Sequence, residues 1–207
     1  MTRRLRHVLL FPLASLLFLA SCAGQSGLSP AGADLSGAVV NLYLTEYTPQ
    51  ISAARWAYYA DKKICLSNIT NEAADTTTFF YFSRDRQVRY TLAAKANSPI
   101  QPIPSFLWYA YQKAFLTAGI DAGFGCAPGM TEIWITVRSL DDEGIRLKVV
   151  LLKSAKAIAE RQIEIPRGPA SDRHPPELAR RAYEMIDLAV AAILDDPQIK
   201  EILLRKD

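Results

Sequence analysis

Few side chains in this 207-residue sequence have the type and spacing that catalysis needs. His174, in SDRHPPEL, could serve as a general base. Its place in a polar loop just before a helix makes a solvated histidine the plainer reading. Asp141, Asp142 and Glu143 are three adjacent carboxylates, but DDEG between two apolar alternations reads as a hairpin turn rather than a paired acid and base. GFGCAPG, 123–129, is glycine-rich like a phosphate cradle. It lacks the Lys-Ser/Thr and follows a helix instead of opening one, so it reads as a helix-to-strand connection. No Gly-x-Ser-x-Gly elbow or His-Glu-x-x-His pair is present. The expectation is a protein that is not an enzyme and has no cofactor and no metal. Two other classes stay open. A cell-wall enzyme of the envelope would gather acids or His174 in a cleft, and a carrier of lipid or small ligands would enclose an apolar cavity.

The front of the chain has its own chemistry. MTRRLRH carries Arg3, Arg4 and Arg6 and no acid, and 13 apolar residues follow from Val8 to Ala20. At about 1.5 Å per residue such a run spans about 20 Å, short of the roughly 30 Å of hydrocarbon a helix must cross. Pro12 weakens it further. A basic head, a short apolar run and small residues at its end make a secretory signal, 1–21. Leu19-Ala20-Ser21-Cys22 resembles the bacterial lipobox. The resemblance implies that the Cys22 thiol takes a diacylglycerol, that the signal is cut before it, and that the new amine takes a further acyl chain such as palmitate. Several acyl chains, at about 0.8 kcal/mol per buried CH₂, hold a domain that one would hold marginally. Ala23 after the cysteine implies transfer to the outer membrane, facing the periplasm.

The signal also distorts the charge. The chain has 24 Lys and Arg against 21 Asp and Glu, but residues 1–21 hold three of the bases and none of the acids. The mature chain therefore has a formal charge of zero, and no basic run with interleaved aromatics marks a nucleic-acid partner. With Cys22 acylated, Cys65 and Cys126 remain. In an oxidising compartment they could pair, or they could be two separate buried thiols.

Residues 22–37, small, polar and punctuated by Gly and Pro, read as a lipidated cysteine and a tether with a reach on the order of 20 Å. Residues 38–207 read as one periplasmic domain. Strands are predicted over 38–47 and 63–69, with two more over 77–83 and 86–94 around RDR. The segment 51–62, with Trp56, Tyr58 and Tyr59, could pack or lie at a membrane surface. Pro104 and Ser105 open a helix that Gly119 stops. Trp108, Tyr109 and Tyr111 on it read as core. Residues 131–140, 145–153 and 157–165 form an antiparallel meander. A helix follows from Pro176 to Leu194, with Leu178, Ala182, Met185, Ile186, Ala189, Val190 and Ile193 as its apolar stripe, then a short tail helix. The fold class is α+β: an antiparallel sheet of about four or more strands with two helices packed on one face.

That succession, LASC, a tether, a helix ending in AG, strands around an acidic turn and a last helix followed by DDPQIKEIL, resembles small Gram-negative outer-membrane lipoproteins of the YajG type. Its architecture is similar to lipopolysaccharide-assembly lipoproteins and to the auxiliary lipoproteins of ABC-type lipid transporters. The resemblance implies a lipid-anchored, non-enzymatic accessory or adaptor in envelope lipid or lipopolysaccharide transport, or in envelope complex assembly. Its partners would be the membrane, through the N-terminal lipid, and an envelope protein such as a transporter or barrel subunit. The candidate binding surface is TTTFFYFSRDRQVRY. Pleating puts Phe80 and Phe82 on one side and Phe79 and Tyr81 on the other. If one side is core, the other is an exposed aromatic surface beside Arg84, Arg86 and Arg89.

Overall fold

The structure, a computed structural model, describes residues 37–60, 62–123 and 125–205. The signal 1–21, the lipidation at Cys22 and the tether up to residue 36 lie outside the described residues.

Two sheets share one core. The larger is built on the meander of β6 (Thr131–Leu140), β7 (Gly144–Lys153) and β8 (Lys156–Pro166), antiparallel as the alternation predicts. Ile133, Ile135 and Val137 on β6, and Ile145, Leu147, Val149 and Leu151 on β7, all point inward and are buried. β2 (Lys63–Asn71) lies beside β6, and β5 (Asp121–Gly123) beside β2, giving the order β5-β2-β6-β7-β8. β2 runs parallel to both neighbours. Parallel strands need a long crossover; here the crossover from β2 to β6 holds two strands of a second sheet, α1 (Ile103–Thr117) and β5.

That second sheet has the order β1-β4-β3, from β1 (Ala38–Tyr43), β3 (Phe80–Phe82) and β4 (Val88–Ala93). β3 and β4 form an antiparallel hairpin, and β1 pairs parallel to β4. The alternation of 38–47 and 86–94 marks these strands, but their separation from the meander is a long-range matter. The observed architecture is thus α+β with two sheets, of three and five strands, rather than one.

The helices pack on the inner faces. α1 buries Phe106, Leu107, Trp108, Tyr111 and Phe115, while Tyr109 stays exposed. Gly119, at φ +87°, reverses the chain after α1, and the Ile120 N–H reaches back to the Phe115 carbonyl at 3.0 Å. α2 (Pro175–Asp195) buries every residue of its expected stripe. α3 (Pro197–Leu204) starts on Asp196, whose carboxylate accepts from the Gln198 and Ile199 N–H groups. The ambiguous segment 51–62 contains a 3₁₀ helix, Ala53–Tyr59, that packs rather than floats. Trp56 donates to Asp195 at 2.9 Å and Tyr59 to the Leu194 carbonyl at 2.9 Å.

Candidate docking surface

The β3–β4 hairpin places the aromatic run. Tyr81 and Tyr90 face each other across it at 4.5 Å between ring centroids, stacked and buried in the core. Burial pushes the ionisation of both hydroxyls upward. The alternating residues must then point away from the core. Phe80 and Phe82 do so, in edge-to-face contact at 5.4 Å. Arg89 lies over the Phe80 ring at 5.6 Å and Arg86 over the Phe82 ring at 5.6 Å, both within cation–π reach. Phe79 departs from the expected pleat. It precedes the strand in a turn fixed by Thr77 Oγ1, which accepts from the Phe80 N–H at 3.1 Å, and it is exposed instead of facing Tyr81's side.

Strand register extends this face beyond the candidate residues. Val39 sits opposite Arg89, which sits opposite Phe82; Asn41 sits opposite Thr91, which sits opposite Phe80. Asn41 and Thr91 are joined side chain to side chain at 2.5 Å. Ile100 bridges Ala93 and so stands on the same side, continuing the column of Phe80 and Phe82. Val39, Phe79 and Ile100 are 40%, 45% and 50% exposed. Ile100 was hidden in the proline-broken stretch KANSPIQPIP, where only the fold shows its pairing with Ala93.

The hairpin turn has a separate role. Ser83 Oγ donates to Asp85 Oδ1 at 2.7 Å and accepts from the Val88 N–H at 2.9 Å, closing the turn on a buried hydroxyl. Asp85 also takes both guanidinium nitrogens of Arg173, at 2.5 and 3.0 Å. Bonds from Arg173, Ser83 and the Gln87 N–H hold the Asp85 carboxyl well below the usual carboxylate range. Arg84 turns from the aromatic face toward the β6–β7 hairpin. Its guanidinium meets Glu143 at 2.6 Å and its N–H donates to Asp142 at 2.9 Å. The expected surface therefore divides. Phe80, Phe82, Arg86 and Arg89 stand together on the open face, whereas Arg84 ties two turns.

The same contacts account for the acids considered for catalysis. Asp141 accepts from the Glu143 N–H at 2.8 Å inside its turn, and burial raises its pKa. His174 is exposed at the start of α2, with its backbone N–H bonded to Asp172. No group of three or more His, Cys, Asp or Glu among the described residues could hold a metal. Cys65 and Cys126 are joined as a disulfide, with Cα atoms 5.2 Å apart, pinning the loop after β5 to β2. The apolar space between the two sheets and the helices, lined by Leu42, Leu92, Leu107, Tyr111 and Met185 among others, is about 20 Å³. Among the described residues no helix is long and apolar enough to cross a membrane.

No family model and no curated protein matches the chain. Among solved structures, a crystal structure of a Xanthomonas campestris protein of the family DUF330 is similar over 81% of this chain and 95% of its own, with a TM-score of 0.50 and 12% identity. A crystal structure of an uncharacterized protein is similar over 80% of this chain and 99% of its own, with a TM-score of 0.46 and 12% identity. At 12% identity the likeness to the Xanthomonas protein is one of fold.

Proposed function

We propose that this chain is a lipid-anchored outer-membrane lipoprotein that works by docking, as a non-enzymatic accessory in envelope lipid or lipopolysaccharide transport or in assembly of an envelope complex. The observation that carries the reading is the contrast between a filled interior and an open face. A site for a drug-sized ligand occupies about 300–1,000 Å³, against the 20 Å³ between sheets and helices. Phe80, Phe82 and their two arginines, by contrast, lie on a sheet face with exposed apolar neighbours, the composition of an interaction surface. The anchor rests on LASC and the small-residue tether. The non-catalytic part is supported by the engagement of Asp141, Asp142 and Glu143 in turn contacts with each other and with Arg84.

The test is recovery of the tagged, full-length protein from native membranes in mild detergent, with mass spectrometry of proteins and lipids. A stoichiometric transporter or barrel subunit is the expected result. Recovery alone and empty would remove the accessory reading. Failure of Cys22 to incorporate labelled palmitate would remove the anchor.

A further inference from the structure

We infer that the open face of the three-stranded sheet docks on the phospholipid surface to which the chain's own N-terminus is tied, with Arg86 and Arg89 reading lipid phosphates and Phe80, Phe82 and Ile100 resting among the headgroups. This rests on the anchored reading above and names the partner of the face.

Three observations carry it. The first is the place where the chain leaves the described fold. Gly37 precedes β1 and packs on the hairpin turn so closely that a Cβ there would fall 2.1 Å from the Gln87 carbonyl oxygen. The next two residues, Ala38 and Val39, pair with Val88 and Arg89. Gly37, the first described residue, thus lies against Gln87 at the edge of this face. Only 14 residues separate Cys22 from Gly37, and even fully extended they reach about 50 Å. An acylated Cys22 keeps the domain within that reach of the bilayer.

The second is the state of the cations. Arg84 and Arg173 are engaged by Glu143 and Asp85. Arg86 and Arg89 form no ion pair among the described residues; each lies on an aromatic ring, and Arg89 Nε is buried without a hydrogen-bond partner. Of the acids flanking the face, Asp85 is occupied by Arg173 and Glu143 by Arg84, while Asp75, Asp141 and Glu164 line the same hollow as Phe82 and Arg86. In a mature chain of zero formal charge this is an aromatic face that carries two arginines outside any ion pair among the described residues. Aromatic rings with attached cations suit the headgroup layer, where one end is apolar and the other wet.

The third is backbone conformation. Arg86 has φ +60°. A turn position in the left-handed region is met more easily by Gly or Asn. A side chain kept there against that preference points to a use for its guanidinium.

The experiment uses the acylated full-length chain with Ile100→Cys as a nitroxide site and, separately, Trp134→Cys, which lies on the larger sheet and is 42% exposed. Cys65 and Cys126 are held in their disulfide. In vesicles containing phosphatidylglycerol, the label at 100 should gain access to oxygen and lose access to a water-soluble nickel reagent, while the label at 134 stays in water. Each basic residue near an anionic surface is worth about a fivefold preference, so Arg86→Asn with Arg89→Gln should lower the ratio of docked to free domain about 30-fold. Added salt should lower it too. Asn suits φ +60°, so that pair preserves the turn, and an unchanged thermal midpoint verifies the fold. An acylated chain whose label at 100 stays as wet as that at 134, or whose protection ignores lipid charge, overturns the inference and leaves the anchor standing. A chain that carries no acyl group but still binds phosphatidylglycerol vesicles through Arg86 and Arg89 removes the anchor and keeps the docking face.

Discussion

Asp187 sits inside the fold with both oxygens used. Tyr47 donates to Oδ1 at 2.6 Å and the Gln50 N–H donates to Oδ2 at 3.0 Å, so one carboxylate on α2 holds the chain that follows β1. Burial raises its pKa, opposed by those two bonds. Replacing it with Ala leaves a buried hydroxyl and a backbone N–H without acceptors, and we expect a loss of about 3 kcal/mol, read as a lower urea midpoint. Asp187→Asn, which keeps one acceptor, should lose less. Asp85 behaves oppositely with pH. Its folded ionisation lies well below the ordinary value of 3.8, so its contribution is present above about pH 4 and is lost as pH falls further. A raised acid such as Asp187 or Asp141 contributes most when protonated, and its contribution is lost as pH rises through its folded value. The decline in urea midpoint from pH 7 to pH 3 should therefore be smaller in Asp85→Asn than in the native chain. An identical decline in both would mean that the Arg173 pair contributes nothing to acid sensitivity.

The disulfide is the clearest prediction among the elements. It joins β2 to the loop after β5 across 61 residues of sequence, which on the chain-entropy model is worth about 4 kcal/mol. Cys65→Ala with Cys126→Ala should lower the unfolding midpoint accordingly, and a reductant should shift the native chain but not the double variant. Asp196 joins two more elements: it caps α3 and also accepts from Arg161 of β8 at 2.8 Å. Asp196→Ala should cost about 1–2 kcal/mol by thermal unfolding, most of it the cap. What the sequence made legible here follows from range. The meander and the α2 stripe are local periodicities, and both appear at nearly their expected bounds. The Phe80/Phe82 side of β3 follows from pleating alone. The parallel placement of β2 was not legible, because it depends on where the chain returns after β3, β4 and α1. The engagement of Arg84 was not legible for the same reason. Its partners Asp142 and Glu143 lie 58 and 59 residues away. The cysteines left pairing and separate burial both open until β2 and the loop were set side by side.

At the scale of the whole molecule, the interior bears on two of the proposed classes, a lipid carrier and a docking accessory. A carrier must enclose an acyl chain; a docking accessory must present a surface and keep its core full. The two sheets here close on α1 and α2 until the apolar space between them is about 20 Å³, room for about one water molecule. That space is walled by side chains from both sheets and both helices, including Leu42, Leu92, Leu107, Leu140 and Met185. Opening it would mean parting the sheets, and a single truncation falls far short: Leu107→Ala should cost about 2–5 kcal/mol while adding only the volume of the lost methyl groups. We therefore expect protein purified from membranes to carry no lipid in stoichiometric amount beyond the acyl chains on Cys22. We also expect a fluorescent fatty acid to show no saturable binding to the native chain. Native mass spectrometry would detect the contrary case directly. One phospholipid per chain that survived detergent exchange would mean that the sheets separate in solution, and the filled core would then be the closed state of a carrier. If none survives, lipid meets this protein from outside. The arginine–aromatic face proposed above is then the first place to test for such contact, by its salt dependence.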